Sequence, residues 1–171
     1  FGSTNGFGAN VATNTKSETE AIYKQYASLL LAPTEVTGGF NISNQGTAGE
    51  RALATRDTEI FVLSARRSNM QDRINKGTWT ITLSGSTTAG TAGLLLELTD
   101  DSVNNSPTAT PVGDRYNIVS GSAGTVVSAS TARNFGFFYP DMGIMVFSAA
   151  ELSASIPGSG SSDDKESTAG I

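Results

Sequence analysis

Apolar residues recur along this chain at two spacings. From Glu18 to Leu31 they fall at helical intervals, with Ile22, Tyr26, Leu29 and Leu30 making one stripe. Ser17-Glu18-Thr19-Glu20 precedes them with the spacing of a capping box, serine at the N-cap and glutamate three positions on. Pro33 disfavours helical geometry in the residue before it. The pattern predicts an amphipathic helix over 18–31 whose stripe buries against something.

Beyond Pro33 the period drops toward two. Val36 to Ile42 contains Gly38-Gly39, which predicts a bent or bulged strand. Residues 43–57 read as loop. Glu59 to Ser64 is a β-branched and apolar run of strand length, and Arg66 to Asn75 is polar and reads as a short helical turn. Thr78 to Leu83 alternates strictly, with Trp79, Ile81 and Leu83 on one face and three threonines on the other. Gly85 to Gly93 is a flexible connection, Leu94 to Thr99 a further strand, and Asp100 to Gly113 a polar loop carrying Pro107 and Pro111. Arg115 to Ser120 and Thr125 to Ser128 are short strands parted by Gly121-Ser122-Ala123-Gly124. Phe135 to Tyr139 and Ile144 to Phe147 flank Pro140-Asp141-Met142-Gly143, a tight hairpin turn. Alternation puts Phe135, Phe137 and Tyr139 on one face and Phe138 on the other.

The predicted fold is mainly β, a sandwich or barrel-like domain of about seven short strands with one N-terminal amphipathic helix. An extended arm (1–16) precedes a single domain (17–157), and a low-complexity tail or linker (158–171) follows it. No internal repeat of fixed period is present.

Composition narrows the chemistry. The 171 residues include no His and no Cys, while Ser (21), Thr (21) and Gly (19) together exceed a third of the chain. Imidazole bases, thiolate nucleophiles, zinc fingers, iron–sulfur sites and disulfides are thereby excluded. The net charge of −5, with only Arg66-Arg67 adjacent among the basic residues, argues against a nucleic-acid surface. No apolar run approaches the ~20 residues of a membrane span. The N-terminus lacks Met and a basic leader. Together with the linker-like tail, this raises the expectation that the chain is one segment of a longer protein.

Few constellations remain. Asp100-Asp101 form a carboxylate pair of the kind that serves glycoside hydrolysis or calcium binding. However, neighbours in a strand point to opposite faces and the calcium-loop spacing is missing, so solvated turn residues are the plainer reading. Arg66, Arg67, Arg73 and Lys76 form the one basic cluster, a candidate for a phosphate or an acidic partner. The plainer reading is surface charges pairing with Asp72 or Asp57. The Gly-rich stretches at 1–8, 85–93 and 158–160 lack the context of a phosphate-binding loop. Phe135, Phe137, Phe138 and Tyr139 suit either a sugar platform or packing onto the core on one face and a neighbouring subunit on the other. Asn41-Ile42-Ser43 and Asn104-Asn105-Ser106 match the glycosylation sequon by chance.

A longer order of segments resembles a known family. It comprises Ile22-Tyr23-Lys24-Gln25-Tyr26-Ala27-Ser28-Leu29-Leu30-Leu31-Ala32-Pro33, Glu59-Ile60-Phe61-Val62-Leu63-Ser64 and Ile74-Asn75-Lys76-Gly77-Thr78-Trp79-Thr80-Ile81. Arg115 to Gly124 and Phe135-Gly136-Phe137-Phe138-Tyr139-Pro140-Asp141-Met142-Gly143-Ile144 complete it. This order, covering roughly 20–150, resembles virion structural proteins of contractile-tailed phages, especially those infecting cyanobacteria. The resemblance implies a non-enzymatic tail, baseplate or neck component present in many copies, with no cofactor, no metal and no catalytic residues to carry over. Its expected partners are other virion proteins and copies of itself, not nucleic acid, a membrane or a small-molecule substrate. Its expected location is the virion, assembled in the host cytoplasm. The expected subunit contacts are Ile22, Tyr26, Leu29 and Leu30 on the helix, Phe137, Phe138 and Tyr139 on the hairpin, and Arg66 and Arg67. The alternative function is a host-surface or glycan-binding fibre module, and a carboxylate hydrolase is a third.

Overall fold

The structure, a computed structural model, describes residues 2–4, 18–36, 38–42, 56–85, 94–127 and 133–152. Ser17, most of the expected arm, the loop at 43–55, the Gly-rich connection at 86–93 and the tail lie outside the described residues, so those expectations are not addressed.

The elements in order are β1 (Gly2–Ser3), α1 (Glu18–Leu30), α2 (Pro33–Val36), β2 (Glu59–Ser64), β3 (Ile81–Gly85), β4 (Leu94–Asp100) and β5 (Thr108–Thr110). Then come β6 (Gly113–Ser122), β7 (Thr125–Val126), β8 (Asn134–Tyr139) and β9 (Ile144–Ser148). The nine strands of the described residues join one antiparallel sheet, ordered β1-β2-β9-β8-β6-β4-β3, with β5 and β7 also paired to β6. The fold is mainly β with an N-terminal helix, as the hydrophobic pattern predicts. The additional strands are short. β1 comes from the first residues of the expected arm, and β5 lies inside the segment read as a polar loop.

Both faces of the sheet's middle are covered, so every residue of β8 and β9 is buried. On the outer face α1 lays Tyr23, Ala27 and Leu30 over Ile60, Phe137, Tyr139, Ile144 and Val146, with Phe40 and Ile42 filling the margin. The inner face is concave. There Leu98, Tyr116, Ile118, Phe138, Met145 and Phe147 form a second core, joined by Phe61, Trp79, Ile81, Leu83 and Leu96. Residues of β2 and β3, far apart in strand order, thus meet inside one curled sheet. The chain between them closes one end of the concavity: Ile74 donates its N–H to the Pro140 carbonyl at 3.1 Å, and the Trp79 ring meets Phe138 edge-on.

Three readings are corrected. The buried helix face is Tyr23, Ala27 and Leu30, whereas Ile22 and Tyr26 are half-buried and Leu29 is 41% exposed. Among the described residues no strand forms between Val36 and Ile42. Pro33 instead opens α2, where its lost N–H and fixed φ suit a first helical position, and the Glu35 carboxylate accepts the Ala32 N–H at 3.3 Å. Phe135 does not share a face with Phe137. A bulge on β8 pairs Val119 with Asn134 and Ile118 with Gly136, leaving Phe135 unopposed, so Phe135 joins the inner core beside Phe138. The Asn134 side-chain oxygen Oδ1 accepts the Gly136 N–H at 3.2 Å across this bulge.

Candidate functional site: an apolar cleft between two strand edges

Alternation along β2 sends Ile60 toward the helix and turns Phe61 and Leu63 inward. Alternation along β3 turns Ile81 and Leu83 inward, each backed by a direct cross-strand partner on β4, Leu98 and Leu96. Phe147 of β9 stands opposite Phe61. After β9 the chain turns at residues 149–152, where the Leu152 N–H reaches the Ser148 carbonyl at 3.2 Å and the Leu152 side chain is buried. Phe61, Val62, Leu63, Ile81, Leu83, Phe147 and Leu152 together line an open cleft of about 260 Å3. All seven are apolar, and the cleft has a strand edge on either side.

The edges are unusual in their sequence. Among the described residues β3 is paired only with β4, and β2 is paired on its outer side only at Glu59 and Ile60, by β1. Neither Val62–Ser64 nor Ile81–Gly85 carries a charge or a proline, the usual devices that blunt a strand edge. Leu63 at the mouth is 52% exposed.

Charge gathers just beyond β2. Arg66 and Arg67 are exposed and lack a carboxylate partner among the described residues; Arg67 reaches only the carbonyls of Asp72 and Asp141, both at 3.4 Å. Arg73 stands 3.9 Å from the Asp141 carboxylate, an exposed pair of little energetic weight. Lys76 is drawn away to the Tyr116 hydroxyl at 2.8 Å and lies over its ring. The basic cluster is therefore spread along the loop. The pairing expected with Asp72 or Asp57 is replaced by Asp141 for Arg73 and by carbonyl contacts for Arg67.

The carboxylate pair is not solvated. Asp100 and Asp101 are both buried. Asp100 accepts the Gly77 N–H with both oxygens, at 2.9 and 3.0 Å, which ties β4 to the entry of β3. Asp101 accepts from the Asn117 N–H and amide at 2.9 Å and from the Asn105 amide at 3.0 Å. Their function is to satisfy donors of distant segments. Asp57 does the same elsewhere, accepting the Ile42 N–H at 2.7 Å and the Ser148 hydroxyl. Glu151, also buried, accepts from Arg133. Among the described residues no group of three or more acidic side chains gathers to hold a metal, and no described helix is long and apolar enough to cross a membrane.

Of the expected contact residues, Leu30, Phe137, Phe138 and Tyr139 are buried within the chain itself and offer no surface. Phe137 carries the Arg115 guanidinium over its ring at 4.3 Å, and Arg115 in turn pairs with Glu35 at 3.5 Å. Burial pushes the Tyr139 hydroxyl up to about 12, against the opposing charge of Arg115. The rings that motivated a sugar platform are thus inside. Leu29, Arg66 and Arg67 are exposed, and Ile22 and Tyr26 are partly so. The cleft residues went unnoticed in sequence because Phe61, Leu63, Ile81 and Leu83 look like ordinary strand cores. Only the curl of the sheet brings their edges together. Comparison with family models, with curated proteins and with solved structures gives no match.

Proposed function

We propose that this chain is a non-enzymatic structural component of a phage virion, a tail, baseplate or neck part that works by presenting surfaces to neighbouring subunits. The resemblance of its segment order to virion proteins of contractile-tailed phages motivates the reading. The observation that carries it is the cleft: its lining is wholly apolar and its rims are strand edges, which suits recognition of polypeptide better than chemistry on a small molecule. In this reading the two-cored sheet is the rigid block. The partners are other virion proteins and further copies of the chain, assembled in the host cytoplasm.

A glycan-binding role loses its motivating residues with the burial of Phe137, Phe138 and Tyr139. A carboxylate hydrolase loses its own with the engagement of Asp100 and Asp101 by backbone and amide donors. Mass spectrometry of purified phage particles from the source of the gene tests the proposal. The chain is expected in the particle at a fixed copy number. Its absence from particles, with the protein present in the infected cell, overturns the reading.

A further inference from the structure

Resting on that reading, we propose that the cleft between β2 and β3 receives one phenylalanine side chain of a neighbouring, different polypeptide, whose nearby acidic residues pair with Arg66 and Arg67. The cleft takes the apolar anchor, and the arginines beyond it fix where the partner lies.

Three observations set the partner's chemistry. The first is size. At about 260 Å3 the cleft exceeds the roughly 150 Å3 that encloses a benzene ring, yet falls short of the about 300–1,000 Å3 of pockets that take a whole small molecule. That is room for one aromatic side chain. Leu63 at the mouth is 52% exposed, so the anchor enters from solvent.

The second is the lining. Phe61, Leu63, Ile81, Leu83, Phe147 and Leu152 bring only hydrocarbon side chains. A tyrosine or tryptophan would strand its O–H or N–H here, and phenylalanine has neither. Among the described residues the large apolar side chains that this chain exposes are Leu29, Leu63, Leu95, Val103, Val127 and Met142, none of them aromatic. A second copy offers no such anchor from these residues, which points to a different polypeptide.

The third is charge. Residues 65–76, on the way from β2 to β3, carry four basic side chains against the single acid Asp72, in a chain of net charge −5. The Ala65 N–H donates to the Gly143 carbonyl at 2.8 Å and the Ile74 N–H to the Pro140 carbonyl at 3.1 Å, so both ends of this segment are tied to the β8–β9 turn. Arg66 and Arg67 are exposed and hold no carboxylate among the described residues. Arg66 follows Leu63 by three residues, at most about 11 Å along an extended backbone. Acids about two to four residues from the anchor therefore come within reach of the arginines. Such pairs supply what Arg66 and Arg67 lack and set the partner's register.

The test is titration of the full chain with fluorescein-Gly-Gly-Asp-Asp-Gly-Phe-Gly-Asp-Asp-amide, followed by anisotropy. Acids on both sides of the phenylalanine serve either direction of the partner. Saturable binding is expected. Serine in place of the peptide's phenylalanine weakens it about tenfold or more. Asparagine in place of its aspartates weakens it and removes its salt dependence. Both changes leave the protein untouched. On the protein, Leu63→Lys at the mouth weakens binding about tenfold or more. Arg66→Glu with Arg67→Glu weakens it as well, while Thr82→Lys, exposed on the opposite face of β3, leaves it unchanged. A serine peptide that binds as well as the original overturns the anchor, and an asparagine peptide that does so overturns the acid pairing. Displacement by lauric acid makes the cleft a lipid site. Displacement by a peptide of residues 153–171 makes the chain its own occupant, and concentration-dependent dimers lost on Leu63→Lys make the occupant a second copy. Each of these overturns the foreign partner, and no saturable binding at millimolar peptide overturns it outright. Finding the chain in particles without peptide binding sinks this inference alone. Peptide binding with the chain absent from particles sinks the virion reading alone.

Discussion

The Tyr23 hydroxyl donates to the Asp57 carbonyl oxygen at 2.7 Å and at the same time accepts the Phe40 N–H at 3.0 Å. One side chain thereby joins the helix, the segment after it and the approach to β2. Asp57 extends the junction by accepting from Ile42 and from Ser148 at the end of β9. The Tyr23 ring meets Phe40 edge-on, so the apolar body packs while the hydroxyl bonds.

Tyr23→Phe keeps the ring and strands a buried carbonyl and a buried N–H. The expected loss is about 1–3 kcal/mol, the cost of leaving such groups unmet. Urea unfolding checks it: the midpoint falls while the slope is unchanged. An unaltered midpoint removes Tyr23 as the junction.

Asp101→Asn places an amide where three donors converge. Asn117 offers its N–H and side-chain amide, and Asn105 its amide, so one of them meets a donor instead of an acceptor. A destabilisation of about 1–3 kcal/mol is expected by thermal or urea melting. A variant as stable as wild type argues that the carboxylate is held for another purpose.

Much of this architecture is readable from local pattern. Glu59–Ser64 is a strand at the predicted bounds, and the hairpin around Pro140-Asp141-Met142-Gly143 forms with Gly143 at φ 66°. What escaped depends on partners distant in sequence. Ala27 counts little as an apolar residue, yet its small side chain lets α1 settle on the sheet, which rotates the buried face to Tyr23, Ala27 and Leu30. The β8 bulge reverses the inferred face of Phe135 because alternation assumes an unbroken ladder. Asp100 and Asp101 read as turn residues because Gly77 and Asn117, which bury them, lie 23 and 16 positions away. The cleft escaped for the same reason: its two walls belong to opposite halves of the strand order.

Stability should decline in strong alkali through the tyrosines. Burial raises the Tyr23 hydroxyl above its ordinary value and lifts that of Tyr139 to about 12, whereas an unfolded tyrosine titrates near 10. Between these values the folded chain holds protons that the unfolded chain has released, so stability falls as pH rises. The contribution is fully present below about pH 10 and lost by about pH 12. Among the described residues the buried Tyr139 hydroxyl meets no hydrogen-bond partner. Tyr139→Phe is therefore expected to leave neutral-pH stability unchanged or slightly raised, and to flatten part of the alkaline decline. Urea midpoints from pH 8 to 11.5 check both; an unchanged slope counts against Tyr139 as its source.

The turn between β6 and β7 offers a gain instead of a loss. Ala123 has φ 47° and Gly124 has φ 80°, so both central residues of this two-residue hairpin are left-handed. That is the geometry of a type I′ turn, which matches the twist of the strands it joins and favours asparagine followed by glycine. Alanine at the first position bears a steric penalty on the order of 1 kcal/mol that asparagine largely avoids. The side chain is exposed, and its backbone N–H donates to the Thr80 hydroxyl at 2.9 Å, a bond that substitution leaves in place. Ala123→Asn should therefore stabilise by up to about 1 kcal/mol. Gly124→Ala should do the reverse, because a Cβ there would lie 2.7 Å from the Gly77 carbonyl oxygen. Paired thermal melts check the opposite signs: if the two substitutions shift the midpoint the same way, the turn is not of this type.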